Sequence, residues 1–424
     1  AHMSYMPEQL SHLAWAFATF CVIDVNLLKK IGQYAVVKVK DLKLETLSII
    51  AWSFATLCHA QPAFYHAVAD ELIRRLTTAS WHGRPSKSME TFAMHIKRVV
   101  WAFNFVGIRS RHLFMTTRTA MLGIGGALDA VKAMSISPSA LQGALTRMAT
   151  DRILEVPYIV VDLEDRLVIF KPPDWQVDND IVLSGARPLS GYLHGMSARS
   201  RQWIILSDVA HRRGFLHRLD VPSSGLILVA KTYAAYYDLM WQMSAGDVVR
   251  DYVVLCRGWL PPARRYVNAR VHESKSGCSV EICWRGRPSG TSLKVLAHLE
   301  RMGMALSLVA IRIKTGRKHQ IRAHTAHIAH PTVCDGKYTA VTTFRSDEAW
   351  CSRNFLHRYR LAFRDSMGTV VEAAASLPWD LTEALRQLSA RDVESAEGIQ
   401  HWLRPEVSQD WDNFHVLAHS TPSA

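Results

Sequence analysis

The middle of the chain contains the stretch HRLDVPSSGLILVAK, which runs from His217 to Lys231. Its single acid, Asp220, is followed by a proline, two serines and a glycine, residues that favour a tight loop. An apolar run typical of a buried strand comes next. Catalytic groups commonly lie on loops at the ends of such elements. The pattern therefore predicts a functional carboxylate at the entrance to a strand.

A second dense segment, TGRKHQIRAH, occupies residues 315–324 and follows a strand-like run at 306–313. It ends in residues that are compatible with a helix. In this order the two segments resemble the motifs of the RluA-like branch of the pseudouridine synthases, which read roughly HRLDxxTSGLLLVAK and TGRxHQIRxH. Two long motifs in the family's order make this resemblance specific.

The resemblance extends over roughly residues 155 to 390. Residues 159–173 are similar to the family's opening strands, which end in Lys-Pro, and residues 250–258 are similar to the motif that carries its active-site tyrosine. Residues 356–363 are similar to a late core strand. The resemblance implies an α+β fold, the pseudouridine synthase catalytic domain with its mixed, mostly antiparallel, bisected sheet.

The sequence departs from the family pattern at a few positions. Residues 334–339 read CDGKYT, whereas the family usually has GDxxYG, so both flanking glycines are missing around Asp335. Arg250 stands where lysine is common, and Ser223 stands where threonine is common. The matched acid, tyrosine and arginine are unchanged, but the resemblance does not predict the geometry of the loop at Asp335.

The resemblance implies that the chain isomerises uridine to pseudouridine in structured RNA, whether rRNA, tRNA or mRNA, without a cofactor. This reaction breaks the bond from uracil N1 to ribose C1′, rotates the base and joins C5 to C1′. A single carboxylate can serve, by attacking C1′ or by removing the C2′ proton to give a glycal. The sequence leaves both routes open.

The resemblance also implies the roles of individual residues. Asp220 matches the catalytic aspartate, and Arg322 matches the arginine that pairs with it and keeps it ionised. Tyr252 matches the tyrosine that stacks on uracil and handles the C5 proton. The alternatives are an aspartate that caps a turn, an arginine that makes a purely structural salt bridge and a tyrosine that only packs.

Cationic residues are expected to hold the RNA. Because the target uridine must leave the RNA stack, Arg218, which matches a family position, is expected to fill the vacated space. Phosphate contacts are expected from other basic residues of the matched segments, each of which also fits a solvated surface charge. These are Lys171, Lys231, Arg317, Lys318 and His319.

A metal site is considered at His324, His327 and His330, whose spacing of three places them near one helix face. No glutamate follows in a zincin arrangement, and the family motif already accounts for the segment, so we expect no metal. The seven cysteines are scattered without a CxxC pair, which favours free thiols in a reducing compartment.

Composition agrees with a globular protein that binds RNA. At 424 residues, two or three domains are expected, and 49% hydrophobic residues supply ample core. A net charge of +13 favours a nucleic-acid partner, although many proteins are basic only for solubility. No apolar run approaches the roughly 18 to 20 residues that span a bilayer, so we expect a soluble protein without membrane contact.

The first part of the chain repeats itself. Residues 10–20, LSHLAWAFATF, recur as LSIIAWSFATL at 47–57, with the tryptophans 37 positions apart, and more weakly at 96–105. Such a period predicts stacked helical hairpins. The unit resembles the octotricopeptide or FAST-kinase-like repeats of organelle RNA proteins. Its tryptophans and phenylalanines are expected to fill the core between repeats, and RNA contacts are expected instead from Lys97, Arg98, Arg109, Arg111 and Arg118.

We therefore divide the chain into a helical repeat segment at 1–130, a linker at 131–154, a catalytic domain at 155–390 and a loose tail at 391–424. The helical segment is expected to select substrate, and its deletion is expected to leave the catalytic domain folded. We expect a monomer in a mitochondrion or plastid, with cytoplasm or nucleus left open. The alternative is a catalytically silent RNA-binding or ribosome-assembly factor on the same fold.

Overall fold

The computed structural model describes residues 7–134, 156–177, 187–200, 203–274, 280–404, 411–414 and 416–417. The helices come first and a mixed sheet follows, so the predicted α+β class is confirmed. The helices are α1 (Pro7–Thr19), α2 (Val25–Val37), α3 (Leu44–Thr56), α4 (Pro62–Thr77), α5 (Ser86–Val106), α6 (Arg111–Met134), α7 (Leu189–Ser200), α8 (Tyr233–Ala245), α9 (Gln320–His327), α10 (Val341–Glu348), α11 (Trp379–Arg386) and α12 (Val393–Leu403).

The strands form one large sheet and two small ones. They are β1 (Tyr158–Asp162), β2 (Arg166–Lys171), β3 (Trp175–Gln176), β4 (Arg187–Pro188), β5 (Ser224–Ala230), β6 (Val249–Arg257), β7 (Tyr266–Asn268), β8 (Val271–Glu273), β9 (Val280–Ile282), β10 (Gly290–Arg301), β11 (Met304–Ile313), β12 (Leu356–Arg364), β13 (Val370–Ala374) and β14 (Ser389–Ala390). The large sheet has the order β1-β2-β5-β12-β6-β11-β10-β14, with β13 paired to β12 and β7 to β10.

Helices α1 to α6 are stacked hairpins, as the repeat predicts. Helices α1, α3 and α5 pack in one layer, and α2, α4 and α6 pack in the other. Proline at the first position of α4 suits a helix start because proline has no amide hydrogen to satisfy there. The left-handed Gly107, at φ 80°, ends α5. Whether the unit is of the octotricopeptide or FAST-kinase-like type stays a prediction.

The repeated aromatic residues divide between core and surface. Phe54 and Phe103 are fully buried, whereas Trp15 is 50% exposed and Trp52 and Trp101 are half-buried. The expectation that the tryptophans fill the core is wrong for Trp15, whereas Trp52 and Trp101 pack against the edge of the core. Each tryptophan lies two positions before its phenylalanine, and residues two apart point to nearly opposite sides of a helix, so the two rings cannot be buried equally.

The sheet narrows between β5 and β12. These strands are parallel and share only two residue pairs, His357 with Ser224 and Arg358 with Gly225, whereas the other pairs of the large sheet are antiparallel. At this point Gly225 has φ 124°, and a Cβ there would lie 2.3 Å from the carbonyl oxygen of Arg358. Only glycine fits so close an approach. The glycine of the first motif thus sets the junction between the two halves of the sheet.

Alternate residues of the strands enter different cores. Val168 and Phe170 of β2 join an apolar cluster that continues through α8 into α1 to α6, whereas Leu167 and Ile169 face the opposite side of the sheet. This alternation is the period of two expected for a strand buried on both faces. The helical segment and one face of the sheet therefore share a single continuous core.

Polar contacts reinforce this joint. Asp129 of α6 accepts hydrogen bonds from the backbone amides of Tyr233 and Ala234, at 2.8 and 2.9 Å, and so caps the first turn of α8. Arg118 of α6 pairs with the fully buried Asp238 at 2.7 Å. The expectation that the catalytic domain folds without the helices does not fit this arrangement, because their removal exposes the α8 surface to water.

The tail beyond residue 390 is not loose where it is described. Helix α12 starts at the capping residue Asp392, whose side chain accepts from the amide of Ser395, and packs its buried Ile399 and Trp402 against the sheet. The sequence predicted a loose tail because the apolar residues that α12 buries are few and are spread over one short helix. Of the predicted linker, residues 131–134 belong to α6, and the rest, from 135, lies outside the described residues.

Candidate active site

Asp220 lies in the loop that leads into β5. The amide of Ser223 donates to the carbonyl of Asp220 at 3.1 Å, which closes a tight turn, and the amide of Asp174 donates to the carbonyl of Val221 at 2.9 Å. The carboxylate is 16% exposed and accepts a hydrogen bond from Nη1 of Arg322 at 2.8 Å. The expected pairing of Asp220 with Arg322 is therefore present.

Arg322 is held from its other side by Asp335. The fully buried Asp335 accepts from Nε and Nη2 of Arg322 at 2.8 and 2.7 Å, a bidentate pair that fixes the plane of the guanidinium. Its remaining nitrogen, Nη1, points at Asp220. Asp335 thus orients the residue that orients the candidate catalytic acid. We did not single out this role from the sequence.

The loop at Asp335 has a left-handed residue at a position where the family pattern has glycine. Cys334 adopts a left-handed conformation, with φ 55°, and its side chain is buried. Such a conformation in a residue other than glycine costs about 1 kcal/mol or more. The amide of Cys334 donates to the carboxylate of Asp347 at 3.0 Å, which helps to hold the strained turn.

The surrounding charges keep Asp220 ionised. Burial alone raises the pKa of this carboxyl, but the positive charges of His319 and Arg322, together with the hydrogen bond from Arg322, lower it below its ordinary value. Burial lowers the pKa of His319 to about 4, so the imidazole is neutral near pH 7. At neutral pH Arg322 is therefore the main cation that holds the carboxylate charged.

Tyr252 lies on β6 and contacts an arginine that the sequence analysis did not select. The guanidinium of Arg358, on β12, donates to the phenol oxygen of Tyr252 and lies 4.8 Å from its ring centroid. Arg358 also donates to Nδ1 of His217 at 2.7 Å and to the carbonyl of Leu226 at 2.8 Å. It is 1% exposed. Arg358 therefore connects the strand of the tyrosine with the chain around Asp220.

A basic cavity of about 620 Å³ adjoins these residues, a volume typical of small-ligand sites. Tyr252 and His217 line it, and no acidic residue among the described ones does. Asp220 lies two positions after the lining residue Arg218, and His319, 3.7 Å from Asp220, follows the lining residue Lys318. The basic lining residues are Arg212, Arg213, Arg218, Arg250, Arg317, Lys318 and Arg358.

Two expected phosphate ligands are buried instead. Lys171 is fully buried and donates to the carbonyls of Pro172, Trp175 and Val221 at 2.8, 2.8 and 3.1 Å. Lys231 is 8% exposed and bonds to Asp162 and to the carbonyl of Leu163. Their assignment to RNA binding is therefore wrong. In a sequence such lysines look like surface charges, but here they satisfy backbone and side-chain acceptors around the loops.

The other expected RNA ligands lie at the cavity. Arg218 is exposed, and Arg317 and Lys318 line the same space, although Lys318 also pairs with Glu273 at 3.3 Å. His319 faces Asp220 rather than the solvent. In the helical segment, Lys97 lines an adjoining cavity and Arg109 lines another. Arg118 is engaged with Asp238 and is not available to RNA.

The histidines considered for a metal have other contacts. His324 bonds through Nδ1 to the hydroxyl of Thr291 at 2.9 Å and through Nε2 to the carbonyl of Ala269 at 3.1 Å. His330 bonds to the carbonyl of Arg257 at 2.8 Å. Within the described part of the chain no cluster of histidine, cysteine or acidic residues has the geometry to hold a metal ion. In the same residues no helix has the length and apolar character to cross a bilayer.

Comparisons with known proteins show what this chain is similar to. A family model described as RNA pseudouridylate synthase matches residues 166–327. The ribosomal large subunit pseudouridine synthase D of Escherichia coli O6:H1 is 30% identical over 261 residues, which cover 58% of this chain and 74% of that protein. The protein of the same name from Yersinia pestis is 30% identical over 258 residues, with 58% and 75% covered. The solved structure of human RNA Pseudouridylate Synthase Domain Containing 1 is 24% identical and covers 61% of this chain and 100% of that chain, with a TM-score of 0.44.

Proposed function

This chain belongs to the RluA-like family of RNA pseudouridine synthases, and on that premise we propose that it isomerises uridine in structured RNA with Asp220 as its catalytic carboxylate. The observation that carries the assignment is the chain of contacts Asp335–Arg322–Asp220. It supplies an ionised carboxylate of fixed orientation two residues after Arg218, which lines the same basic cavity as Tyr252.

The carboxylate acts at the sugar. In one route an oxygen of Asp220 attacks C1′ while the electrons of the bond to N1 leave with uracil. In the other, Asp220 takes the C2′ proton as uracil leaves, which gives a glycal. In both routes the negative charge of Asp220 offsets the positive charge that develops on the sugar. The detached base, which carries the electron pair of the broken bond, then turns, and C5 forms the new bond to C1′. In the first route the bond between C1′ and the oxygen of Asp220 breaks as this bond forms, and in the second Asp220 returns its proton to C2′. The base finally loses the proton at C5 and gains one at N1, so the whole reaction is an isomerisation.

Tyr252 handles the base in this proposal. Arg358 covers one face of its ring and donates to its hydroxyl oxygen, and no residue in the described part of the chain accepts the phenol hydrogen, which a ligand can therefore accept. The tyrosine is 3% exposed and lines the cavity, where its ring contacts uracil and its hydroxyl takes part in removal of the C5 proton. Arg218, which is exposed on the same cavity, fills the space that the extruded nucleotide leaves.

The RNA itself is open to rRNA, tRNA or mRNA. The relatives described above are named for the ribosomal large subunit, so large-subunit rRNA is the first RNA to test. The basic lining of the cavity supports a polyanionic substrate of any of these kinds, because lysines and arginines that neutralise phosphates release counterions.

The test compares Asp220→Asn with the unaltered protein. Each is incubated with unmodified transcripts of rRNA, tRNA and mRNA, and pseudouridine is measured by mass spectrometry of the digested RNA. Asp174→Asn is the matched control, because Asp174 is an exposed acid of the neighbouring loop, in a left-handed conformation that asparagine also adopts. Product is expected from the unaltered protein and from Asp174→Asn, and none from Asp220→Asn.

Two outcomes contradict the proposal. Equal product from Asp220→Asn removes the catalytic assignment of this residue. RNA binding without product from any of the three proteins, on all three RNA classes, favours the alternative of a catalytically silent RNA-binding factor.

A further inference from the structure

Arg250 lies in the cavity lined by Tyr252 and also lines cavities that reach the helical segment. Its side chain is 4% exposed, and within the described residues no group accepts a hydrogen bond from its Nε. Burial and the charge of Arg358, opposed by the neighbouring Tyr252, lower its pKa to about 10. A buried cation without a counter-charge destabilises a fold. An anion that enters the cavity would supply the missing charge.

Lys97 of α5 approaches the same place from the helical side. It lines a cavity of about 410 Å³ together with Arg212, Arg250 and Arg317, and no described acidic residue lines it. Burial, and then the positive charges of Arg212 and Arg317, lower the pKa of Lys97 to about 8. The Nε of Arg317 is also buried without a partner. Cations from two parts of the chain thus converge without an acid between them.

This cavity continues the one that Tyr252 lines. Arg212, Arg250 and Arg317 line both cavities. An RNA strand bound at the candidate active site can therefore extend to α5 while it stays in contact with arginines. Trp101 lies one helical turn after Lys97 on the same face of α5 and lines the same cavity. A half-buried indole beside a cationic groove is typical of surfaces that bind single-stranded nucleic acid.

We propose that Lys97, Arg250 and Arg317 bind a phosphodiester of the RNA strand beside the target uridine, with the ring of Trp101 next to a neighbouring base. The inference deepens the proposed function and rests on its RNA substrate. The helical segment then forms part of the RNA-binding surface itself, in addition to covering the sheet.

The test uses Lys97→Met in the full-length protein, because methionine keeps much of the chain length and removes the charge. Binding of a fluorescent single-stranded oligoribonucleotide is measured by anisotropy at several salt concentrations. We expect affinity to fall about 5- to 10-fold near 0.1 M salt and the slope of log K against log salt to fall by about 0.7. The melting temperature is expected to stay the same or rise, because the variant removes a half-buried positive charge that lies near the positive charges of Arg212 and Arg317.

The matched control is Lys87→Met, since Lys87 is an exposed lysine on the same helix that lines neither cavity. It is expected to bind within about twofold of the unaltered protein. The proposal is overturned if Lys97→Met binds RNA as the control does. It is also overturned if Lys97→Met loses affinity only in proportion to a lowered melting temperature, which would mark a structural residue.

A second arm separates RNA phosphate from free phosphate. Inorganic phosphate is titrated into the complexes of the oligoribonucleotide with the unaltered protein and with Lys97→Met. We expect phosphate to displace the RNA only weakly, at millimolar concentration. Micromolar binding of phosphate that disappears in Lys97→Met while RNA affinity is unchanged would contradict the proposal. Binding is measured separately from pseudouridine formation. If RNA binding depends on Lys97 but the unaltered protein forms no pseudouridine, the proposed function is overturned and this inference stands.

Discussion

The guanidinium of Arg358 lies over the ring of Tyr252, 4.8 Å from its centroid, and donates a hydrogen bond to the phenol oxygen. The two residues come from neighbouring strands, 106 positions apart. A planar guanidinium covers an aromatic face and donates in its own plane, which the ammonium of lysine does not do. Arg358 therefore fixes both the plane of Tyr252 and the acceptor side of its hydroxyl.

Replacing Arg358 by lysine is expected to lower kcat by about 10- to 100-fold, because a small displacement of Tyr252 misaligns it with the base. RNA affinity is expected to change by about twofold or less, since the residue is buried. Single-turnover assays and anisotropy measure the two effects. Arg360→Lys, on the same strand but paired with Asp251 and Glu372, is the control. A loss of affinity with unchanged kcat would show that Arg358 does not position Tyr252.

Breaking the pair of Asp335 with Arg322 is expected to cost stability as well as activity. Asp335→Asn leaves the buried guanidinium with less counter-charge, which lowers the free energy of unfolding by about 3 to 5 kcal/mol. Urea denaturation measures this change. Asp41→Asn, at an acid that is 71% exposed, is expected to change it by less than about 0.5 kcal/mol. Equal stability of the two variants would rule out the anchoring role of Asp335.

Two of the residues predicted from the sequence to bind RNA, the exposed Arg218 and the buried Lys171, are expected to differ in their effect on the salt dependence of RNA binding. Arg218→Ala is expected to reduce the slope of log K against log salt by about 0.7 to 0.9, since it removes one exposed positive charge from the lining of the cavity that receives RNA. Lys171→Met is expected to leave that slope unchanged and to lower the melting temperature, because three carbonyls lose their donor. A reduced slope for Lys171→Met would restore it as an RNA ligand.

Acid is expected to weaken the helical segment through Glu71. This carboxylate is 3% exposed, and its hydrogen bonds with Arg74 and Arg75, against the opposing effect of burial, lower its pKa to about 2. Because the pKa of Glu71 is lower in the folded protein than the value near 4.5 expected when unfolded, its ionised carboxylate stabilises the fold above about pH 4.5. This stabilisation is lost as the pH falls through about 2.

The free energy of unfolding of the unaltered protein should therefore exceed that of Glu71→Gln by about 2 kcal/mol at pH 7, and the difference should shrink toward zero near pH 2. Urea titrations over this range test the prediction. Glu45→Gln, at an exposed position on α3, is the control and should change the free energy of unfolding by less than about 0.5 kcal/mol. A constant difference for Glu71→Gln would argue against an ionised, paired Glu71.

The joint between α6 and α8 is expected to contribute measurably to stability. Asp129→Ala removes the acceptor for two amides at the start of α8, which should cost about 1 to 2 kcal/mol. The exposed Asp70→Ala should cost less than about 0.5 kcal/mol. Deletion of residues 1–134 should yield an insoluble or molten product, because it uncovers α8. A soluble, cooperatively unfolding fragment of residues 135–424 would contradict the shared core.

The sequence predicted the acid and the arginine of the site because each lies inside a long continuous motif. The contacts made by Arg358 could not be predicted in this way, since they join strands distant in the chain and follow from the register of β6 and β12. For Lys171 and Lys231 the motif was matched but the prediction of RNA binding was not supported. A motif does not show whether a lysine faces solvent or, as Lys171 does, bonds to three buried carbonyl groups. Burial of a charge is decided by tertiary packing.

In the helical segment, too, the sequence predicted the architecture but not the burial of individual side chains. Its period of 37 predicted stacked hairpins, which are present, but the aromatic composition of the unit did not tell which ring points inward. Spacing along the helix decides that, and it places the tryptophans near the surface. The monomeric state and the organellar location stay predictions from the sequence.

The continuous apolar core that joins α1 to α6 with the sheet has a mechanical consequence. Two bodies on a flexible tether sample many separations, whereas a packed joint without a hinge allows one. The RNA-binding residues proposed on α5 therefore stay at a constant distance from Asp220, so that the spacing between the two RNA contacts is set by the packed core.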